Sequence, residues 1–555
     1  MKRRLLLILL FSASTNLFAG DVVRSYLVGT RHSSRQSVER IARGDDSAVG
    51  PGRNVQLFDI VDAYRADLTD DEANALSRSP EVRYVEDDAP RYAFGLPSHV
   101  AANELRDVNG QTIPWGVKAV NAPSVWAATR GASINVAVLD TGIDLHHPDL
   151  QAAYAGGFNT YSSETAAPAD DDGHGTHVSG TIAATDNNIG VVGVAPGVRL
   201  WAVRVLRNNG SGASGGSSNI VAGIQWVIQQ KQSQGGDWII SMSLGSCSPS
   251  ITEGAAVSSA INAGILVVAA AGNHVPEQAD VCNATTSNGY HVSYPAAYSG
   301  VVAVAAVDSK LNVADFSNFG PQVAISGPGV DVLSTVPLGT GSISSVMTSS
   351  GTIASQSLDG SPRGSVTDVF IDCGLGKTAA DFPAAVNGHI ALIKRGDVSF
   401  ATKVKNAQDA GATAVIVYNK DDSGLGFTLT GDPADAGHVW PLTVAISLED
   451  GQALLAHPGT VTVQYSKDDY ESLDGTSMAT PHVTAAAALA WSVAPNVTAA
   501  AVKQALLSTS HDLGDPGVDS LTGYGLVDAL AAAKLLNPAL FRPPIVGRYP
   551  GRRGH

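Results

Sequence analysis

Five short apolar runs between residues 113 and 337 limit what this chain can fold into. They are Ile134–Leu139, Leu200–Leu206, Trp238–Leu244, Ile265–Ala271 and Val301–Val307, and each ends at a polar or glycine residue. Helical stretches alternate with these runs. Strands this apolar are covered on both faces, which is typical of a doubly wound parallel sheet. We therefore predict an α/β domain with such a sheet, and sites at the carboxyl ends of its strands.

Changes in composition predict further domains beside and within this one. Residues 22–88 indicate a small α+β unit, with a capping-box pattern at Thr69-Asp-Asp-Glu72. Residues 89–110 lack periodicity and are interpreted as a linker with a processing site. Residues 338–467 contain a βαβ unit of their own, with strands at 388–393 and 414–418 around a helix at 399–410. The α/β domain then comprises 111–337 and 468–538, and residues 539–555 form a basic tail.

The charge balance argues against a nucleic-acid partner, and the N-terminus indicates an exported protein. The 555 residues carry a formal net charge of −16, which makes a polyanion such as nucleic acid an unsuitable partner. Met1–Arg4 is basic and Leu5–Phe11 is apolar but too short to span a bilayer, so residues 1–19 are predicted to be a secretory signal. No later run is long and apolar enough for a membrane helix. We expect secretion after signal cleavage.

The chain has three cysteines, too few for a disulfide framework. Cys247 and Cys282 lie in neighbouring loops of the α/β domain and are predicted to pair. Cys373 would then be a free thiol in the inserted domain. A cysteine nucleophile is the alternative, but none of the three lies in a motif that supports it.

Four polar residues stand where the predicted elements place reactive groups. Asp140 and Asn273 end strands, His174 opens a helical stretch, and Ser477 follows the Asp474-Gly475 turn at the start of an alanine-rich helix. Taken alone, Ser477 could equally be an N-cap serine. A serine nucleophile, however, needs an imidazole base, an acid that holds the base, and donors for an oxyanion. These residues supply all of those parts.

The surrounding motifs resemble those of the subtilase family of serine peptidases. They are Asp140-Thr-Gly, His174-Gly-Thr-His, Ala-Ala-Gly-Asn273 and Gly-Thr-Ser477-Met-Ala-Thr-Pro-His, in the order of that family. The resemblance implies that Ser477 attacks the scissile carbonyl, His174 is the base and Asp140 orients it. It also implies that the Asn273 side chain and the Ser477 backbone N–H bind the oxyanion.

The resemblance further implies two segments that flank a bound peptide, Ser243-Leu244-Gly245 and Gly210-Ser211-Gly212. Pairing with an extended peptide needs free backbone and small side chains, which these residues provide. Two ordinary turns are the alternative.

A structural calcium site is also implied by the resemblance. Its ligands would be three side chains and three backbone carbonyls, from Gln111, Asp149 and Asn187 and from Thr185, Ile189 and Val191. An all-oxygen set suits this hard cation. A turn without an ion is the alternative.

Other histidines and carboxylates allow different interpretations. His174 and His177 are spaced as helical neighbours, and a zinc pair with an acid among Asp170–Asp172 is an alternative to the serine constellation. In the family the first histidine is the base, which leaves His177 structural. Asp170–Asp172 could also form an acidic cleft for basic substrates, or could simply be helix-start charges.

The flanking domains match the same family. Residues 22–88 resemble its inhibitor-type prodomain, and residues 338–467 resemble its inserted protease-associated domain. We therefore expect a secreted, self-processing serine endopeptidase of broad specificity. It would be a monomer whose partners are protein or peptide substrates and its own prodomain. A catalytically silent peptide-binding protein and a processing protease specific for basic residues are the competing hypotheses.

Overall fold

The computed structural model describes residues 22–31, 33–44, 52–97, 110–161, 167–210, 212–274, 292–421, 428–430 and 437–542. The predicted signal at 1–19, Ser211, Cys282 and the tail beyond Arg542 lie outside these ranges. The chain divides into two units between Asp88 and Ala89. Within the described ranges, no helix is long and apolar enough to cross a membrane.

The first unit is a four-stranded antiparallel sheet with two helices. Its elements are β1 (Val23–Thr30), α1 (Arg35–Ala42), β2 (Arg53–Phe58), β3 (Ala63–Thr69), α2 (Asp70–Ser77) and β4 (Val82–Asp87), with strand order β2-β3-β1-β4. The predicted capping box is confirmed, since Thr69 and Glu72 bond each other's backbone N–H at 3.2 and 2.7 Å. This reciprocal pairing fixes where α2 begins.

The second unit begins with short strands and then builds a large sheet. Up to Thr335 its elements are β5 (Pro90–Ala93), β6 (Leu96–Pro97), β7 (Gln111–Thr112), α3 (Trp115–Ala119), β8 (Ile134–Asp140), β9 (Tyr154–Asn159), α4 (His174–Ala183), β10 (Gly190–Val191), β11 (Arg199–Arg204), β12 (Arg207–Asn208), β13 (Ala213–Gly216), α5 (Ser217–Gln234), β14 (Asp237–Met242), β15 (Leu244–Gly245), α6 (Ile251–Asn262), β16 (Leu266–Ala270), β17 (Val302–Val307), β18 (Val323–Pro328) and β19 (Val332–Thr335).

The rest of the unit is an inserted domain followed by the closing helices. These elements are β20 (Gly341–Thr348), β21 (Gly351–Ser357), β22 (Gly364–Asp372), β23 (Ile390–Lys394), α7 (Phe400–Asp409), β24 (Ala414–Tyr418), β25 (Leu442–Ile446), α8 (Leu448–Ala456), β26 (Thr460–Asp468), β27 (Tyr470–Asp474), α9 (Thr476–Ser492), α10 (Ala499–Thr509) and α11 (Ala529–Leu536).

The central sheet is parallel throughout and has seven strands in the order β18-β17-β16-β14-β8-β11-β9. The predicted doubly wound α/β fold is therefore confirmed, and the five predicted runs form β8, β11, β14, β16 and β17. The sequence did not predict β9 and β18. Both are edge strands, and β9 contains the pair Gly156-Gly157, so neither has the apolar run of a strand buried on both faces.

Helix α9 is the buried centre of the domain. Every residue from Thr476 to Trp491 is buried, and the helix packs against β17 and β18. The packing is close because the side chains are small. A β-carbon at Gly327 of β18 would lie 2.6 Å from the Ala479 carbonyl oxygen. The alanine run therefore serves packing, as the sequence indicated.

The inserted domain is a closed barrel with strand order β20-β21-β25-β24-β23-β22-β26. It contains the predicted βαβ unit as β23, α7 and β24. The chain enters it after β19 and leaves it before β27. These two strands pair antiparallel, with Val332 opposite Leu473. The insertion therefore begins and ends at one place in the α/β domain.

The prediction of an irregular linker at 89–110 is wrong for its first part. Strand β5 lies between β13 and β15 in a four-stranded sheet, and β6 pairs with β27. Periodicity could not reveal these strands because they are short and are held by backbone pairing to distant segments. The segment after Asp88 is therefore built into the second unit.

The cysteines follow the prediction where they are described. Cys247 is disulfide-bonded, and Cys373 is a buried free thiol. Burial raises the pKa of Cys373 to about 12, so this thiol is a poor nucleophile. Because Cys282 lies outside the described ranges, its pairing with Cys247 stays a prediction.

A glycine in α4 tests the packing of this helix on β19. A β-carbon at Gly180 would lie 2.2 Å from Thr335 Oγ1 and 2.5 Å from Ser334 Oγ. We expect Gly180→Ala to lower the free energy of unfolding by about 1–3 kcal/mol through overpacking, although alanine favours helices. Thermal unfolding measures this. The control is Gly364→Ala, where no atom lies within 4 Å of the added carbon. An unchanged melting temperature for Gly180→Ala would contradict the packing argument.

Candidate active site

Asp140 and His174 meet at the carboxyl end of the sheet. Asp140 ends β8 and is fully buried, and its Oδ1 accepts the Thr141 N–H at 2.8 Å. The same oxygen lies 2.8 Å from Nδ1 of His174, the first residue of α4. This contact places the ring proton on Nδ1. Nε2 of His174 is then an acceptor, and it has no hydrogen-bond partner among the described residues.

Asn273 and Ser477 lie at neighbouring points of the same edge. The Asn273 Oδ1 accepts hydrogen bonds from the Thr476 backbone N–H at 2.9 Å and from the Thr476 hydroxyl at 2.8 Å. These bonds fix the amide so that its NH₂ group faces away from Thr476. Ser477 is the second residue of α9, and its hydroxyl donates to the Ser243 carbonyl at 2.8 Å.

A peptide bond of the chain itself lies among these groups. The Phe94 carbonyl accepts a short hydrogen bond from Asn273 Nδ2. The next residue is Gly95, where a β-carbon would lie 2.6 Å from Cδ2 and 3.2 Å from Nε2 of His174. The Phe94–Gly95 bond therefore lies between an amide donor and an imidazole acceptor.

Strand β5 leads to this bond along a ladder of backbone pairs. Ala93 lies opposite Leu244, and Tyr92 lies opposite Gly245, within the segment 243–245 that is predicted to flank a peptide. The Phe94 ring fills the space above Gly245, where a β-carbon would lie 2.9 Å from the ring. A segment in the position of a substrate thus fills the cleft.

The other predicted flanking segment needs correction. On that side β5 pairs with residues 214–216 of β13, and the predicted Gly210 and Gly212 lie in the turn before β13. Their φ angles of +85° and +116° make the turn and cannot extend a strand. Ser211 between them lies outside the described ranges. The flanking strand is therefore displaced a few residues along the chain from the prediction.

His177 has a structural position, as expected. It is buried, and its Nε2 lies 2.9 Å from the Val332 carbonyl and 3.1 Å from the Glu471 carbonyl, so it donates to both. Burial lowers its pKa to about 3, so it stays neutral. Across the described part of the chain, no group of three or more His, Cys, Asp or Glu side chains is placed to hold a metal.

The acidic run before α4 caps this helix. Asp170 accepts the N–H groups of Gly173 and Thr176, each at 2.9 Å. Asp171 pairs with Arg204 at 2.6 Å. These carboxylates are therefore engaged at a helix start, as the simpler interpretation held.

Four of the predicted calcium ligands, Gln111, Thr185, Asn187 and Val191, lie together. Nε2 of Gln111 lies 2.7 Å from the Thr185 carbonyl, 3.1 Å from the Val191 carbonyl and 3.4 Å from Asn187 Oδ1. Asn187 Nδ2 in turn donates to Asp149 at 2.8 Å. Ile189, the sixth predicted ligand, lies in the same turn, and its N–H donates to Asn187 Oδ1 at 3.1 Å. Rotating the Gln111 amide by a half turn would direct its oxygen toward the same point, so the donor set fits a cation that binds oxygen.

Sequence reasoning missed one acidic residue of the cleft. Glu253 in the first turn of α6 receives a hydrogen bond from Arg91 Nε at 2.8 Å, and both side chains are fully buried. The pattern Ser250-Ile-Thr-Glu253 looks like an ordinary helix start, and Ser250 does cap α6. Only the strand position of β5 shows what this glutamate faces.

Comparison with known proteins agrees with this geometry. The subtilase family model matches residues 131–361, and the PA domain model matches residues 365–454. M-protease of Shouchella clausii is 36% identical over 342 residues, 60% of this chain and 80% of that protein. The chain belongs to the subtilase family. It is a serine peptidase with an inserted PA domain.

Two further subtilases extend the comparison. Subtilisin E of Bacillus subtilis is 37% identical over 319 residues, which cover 57% of this chain and 74% of that protein. The crystal structure of the psychrophilic subtilisin-like protease Apa1 from Pseudoalteromonas sp. AS-11 superposes with a TM-score of 0.62 at 32% identity. The superposition covers 78% of this chain and 100% of the Apa1 chain.

The electrostatics of His174 predict how a subtilase of this sequence depends on pH. Burial alone lowers the pKa of His174, but the charge and hydrogen bond of Asp140, with the charges of Asp172 and Asp170, raise it above the ordinary 6.5. The base must be neutral to accept a proton, so kcat/KM should rise with pH to a half-maximum above 6.5.

Asp172→Asn removes one of the charges that favour the imidazolium. Its pH profile should therefore move to lower pH, measured as kcat/KM on one peptide between about pH 5 and 9. Asp409→Asn in α7 of the inserted domain is the control and should leave the profile in place. A shift of the Asp172→Asn profile to higher pH would refute the assignment.

Proposed function

We propose that this chain is the precursor of a secreted serine endopeptidase that cleaves itself and then other proteins through an acyl-enzyme on Ser477. The observation that carries the proposal is the position of the Phe94–Gly95 bond, with its carbonyl on Asn273 and its glycine against His174. A protein that only bound peptides would need no hydrogen-bond acceptor such as His174 Nε2 beside the Phe94–Gly95 peptide bond.

The proposed reaction uses each group once. The Ser477 hydroxyl turns from the Ser243 carbonyl, gives its proton to Nε2 of His174 and bonds to the Phe94 carbonyl carbon. The resulting oxyanion is held by Asn273 Nδ2 and by the Ser477 backbone N–H. The C–N bond then breaks as His174 returns the proton to the Gly95 nitrogen. Water, deprotonated by His174, hydrolyses the ester and frees Ser477.

Asp140 acts on the base and does not take part in bond making. It accepts the Nδ1 proton of His174 at 2.8 Å, which fixes the ring orientation and stabilises the imidazolium that forms during attack. Thr476 has the same relation to Asn273, because its two hydrogen bonds hold the amide in the orientation that donates to an oxyanion.

Residues 22–88 are proposed to be the inhibitor-type prodomain. They precede β5 in the chain, and β5 occupies the cleft. Secretion is supported by the N-terminal signal pattern and by the disulfide at Cys247, which suits an oxidising compartment. Pairing through the backbone of β13 and β15 favours broad specificity at most positions. We expect the mature enzyme to be a monomer that acts on protein and peptide substrates.

A structural calcium ion is proposed at the site of Gln111. Asp149 and Asn187 would complete the side-chain ligands, and the carbonyls of Thr185, Ile189 and Val191 would supply the rest. Bound there, the ion would hold the loop after α4 against β7 and would take no part in the chemistry. The support is the convergence of oxygen atoms around Gln111 Nε2.

Self-processing predicts a defined new N-terminus. Wild-type precursor should shorten on a gel, and N-terminal sequencing of the product should begin Gly95-Leu-Pro. Ser477→Ala should stay full length, because no other hydroxyl occupies that position. Ser492→Ala, at the far end of α9, is the matched control and should process normally. Equal shortening of wild type and Ser477→Ala would refute self-cleavage.

Calcium removal should destabilise the processed enzyme. We expect a chelator to lower the melting temperature of wild type, and added calcium to restore it, since an ion that binds only the folded state stabilises it. Asn187→Ala should abolish most of this difference, whereas Asn312→Ala, in an exposed turn, should keep it. A wild-type melting curve that ignores the chelator would remove the calcium site from the proposal.

A further inference from the structure

A buried ion pair lies in the cleft at the fourth residue before the Phe94–Gly95 bond. Arg91 is the fourth residue before that bond, and its side chain and that of Glu253 are both 0% exposed. The Arg91 Nε donates to Glu253 Oε2 at 2.8 Å, and Nη1 donates to the Ser246 hydroxyl at 3.3 Å. A third bond joins Nη1 to the Pro90 carbonyl at 3.1 Å. The guanidinium is therefore held in a closed pocket.

The pocket is rigid and belongs to the peptidase side of the cleft. Glu253 is in the first turn of α6, where the helix dipole favours a negative charge. Ser250 caps this turn by accepting the Glu253 N–H at 3.1 Å. Ser246 follows β15 directly, and its backbone is paired with Tyr294. The backbone positions of Glu253 and Ser246 are therefore held by contacts that do not involve the segment carrying Arg91.

We propose that Glu253 makes this enzyme select substrates with arginine at the fourth residue before the cleaved bond. This inference rests on the proposed function, since it takes β5 as the position of a substrate. It means that Arg91 is the first example of the preferred residue, supplied by the precursor itself. An acidic cleft formed by Asp170–Asp172 is one interpretation of the sequence, whereas the acidic group proposed here is Glu253.

The chemistry of the pocket explains why arginine is required. A carboxylate taken out of water is stabilised by a partner of opposite charge, and a neutral side chain in place of the arginine removes that stabilisation. Arginine presents donors in a fixed plane, so one nitrogen reaches Glu253 while another reaches Ser246. Lysine offers a single charged centre and cannot reproduce both contacts. We therefore expect the order arginine, then lysine, then neutral residues.

The neighbouring positions impose no comparable demand. Tyr92 and Ala93 pair with Gly245 and Leu244 through the backbone, which every residue except proline can do. The fourth residue is thus where side-chain selection is concentrated. Specificity would be broad along the ladder and narrow at this one pocket.

The test uses processed wild-type enzyme and four peptides. All end in Tyr-Ala-Phe before a chromogenic amide, and the preceding residue is Arg, Lys, Leu or Ala. We expect kcat/KM for the Arg peptide to exceed that for the Ala peptide by about 30-fold or more, as for other buried charge pairs that lose one member. Equal values for the four peptides would overturn the inference while leaving the peptidase proposal intact. Cleavage of none would overturn both.

A variant separates recognition from general damage. Glu253→Gln keeps the shape of the side chain and removes its charge, so the ratio of kcat/KM for the Arg peptide to kcat/KM for the Ala peptide should fall toward one. Glu449→Gln, in the first turn of α8, is the matched control and should keep the ratio. A Glu253→Gln enzyme that keeps the full preference would refute the role of Glu253, and the wild-type peptide series decides the preference even if this variant fails to fold.

The precursor offers an independent readout. Arg91→Ala should slow the appearance of the Gly95 terminus, and Arg91→Lys should fall between this variant and wild type. Arg83→Ala, in β4 before the cleft segment, is the control and should process at the wild-type rate. Unchanged processing in Arg91→Ala would contradict the inference.

Discussion

The pairing of β19 with β27 is the constraint on which the active site depends. Ser477, the proposed nucleophile, is separated from β19 by the inserted barrel, so helix α9 must be returned to the correct place after a long insertion. Val332 lies opposite Leu473, and the Asp331 and Gly475 N–H groups bond the Asp474 side chain and the Gly329 carbonyl at 2.7 and 2.8 Å. Closing a loop of this length adds little entropy cost beyond that of a shorter one. The pairing of β19 with β27 therefore lets the chain include the inserted barrel without displacing helix α9.

His177 reinforces this junction from the third element that matters. Its Nε2 donates to a carbonyl on β19 and to another on β27, while its helix carries His174. The neutral His177 ring thereby links the helix that carries His174 to β19, after which the inserted barrel begins, and to β27, before which it ends. A charged ring would be strongly destabilised at this buried position, and burial accordingly lowers the pKa of His177 to about 3. The sequence indicates only a structural role for His177, and its hydrogen bonds show that this role is to connect α4 with β19 and β27.

The sequence predicted the fold and the reactive groups to different depths. The central strands were predictable because burial on both faces leaves an apolar run, and Asp140 and Asn273 followed as their polar ends. Edge strand β9 was not, since its glycines carry no such pattern. Strand β5 was missed for a related reason. Its partners lie more than a hundred residues away, and a backbone ladder leaves no periodic trace in a four-residue strand.

Glu253 shows a second limit of sequence reasoning. A glutamate three residues after a serine at a helix start is an expected cap, so the pattern had a sufficient explanation without any ligand. Its partner becomes visible only when the segment after Asp88 is placed in the cleft. The displaced glycine segment has the same origin, because motif resemblance gave the neighbourhood but the positive φ angles decided which residues could pair.

The ladder around β5 also bears on timing. The proposed cleavage after Phe94 would remove one covalent bond but leave the strand pairs, the Asn273 contact and the Arg91–Glu253 ion pair. The cleaved segment would then stay bound as a product, and its dissociation rate would set the delay before other substrates are cleaved. The noncovalent contacts of the segment before Gly95 would therefore set the time between self-cleavage and activity on other substrates.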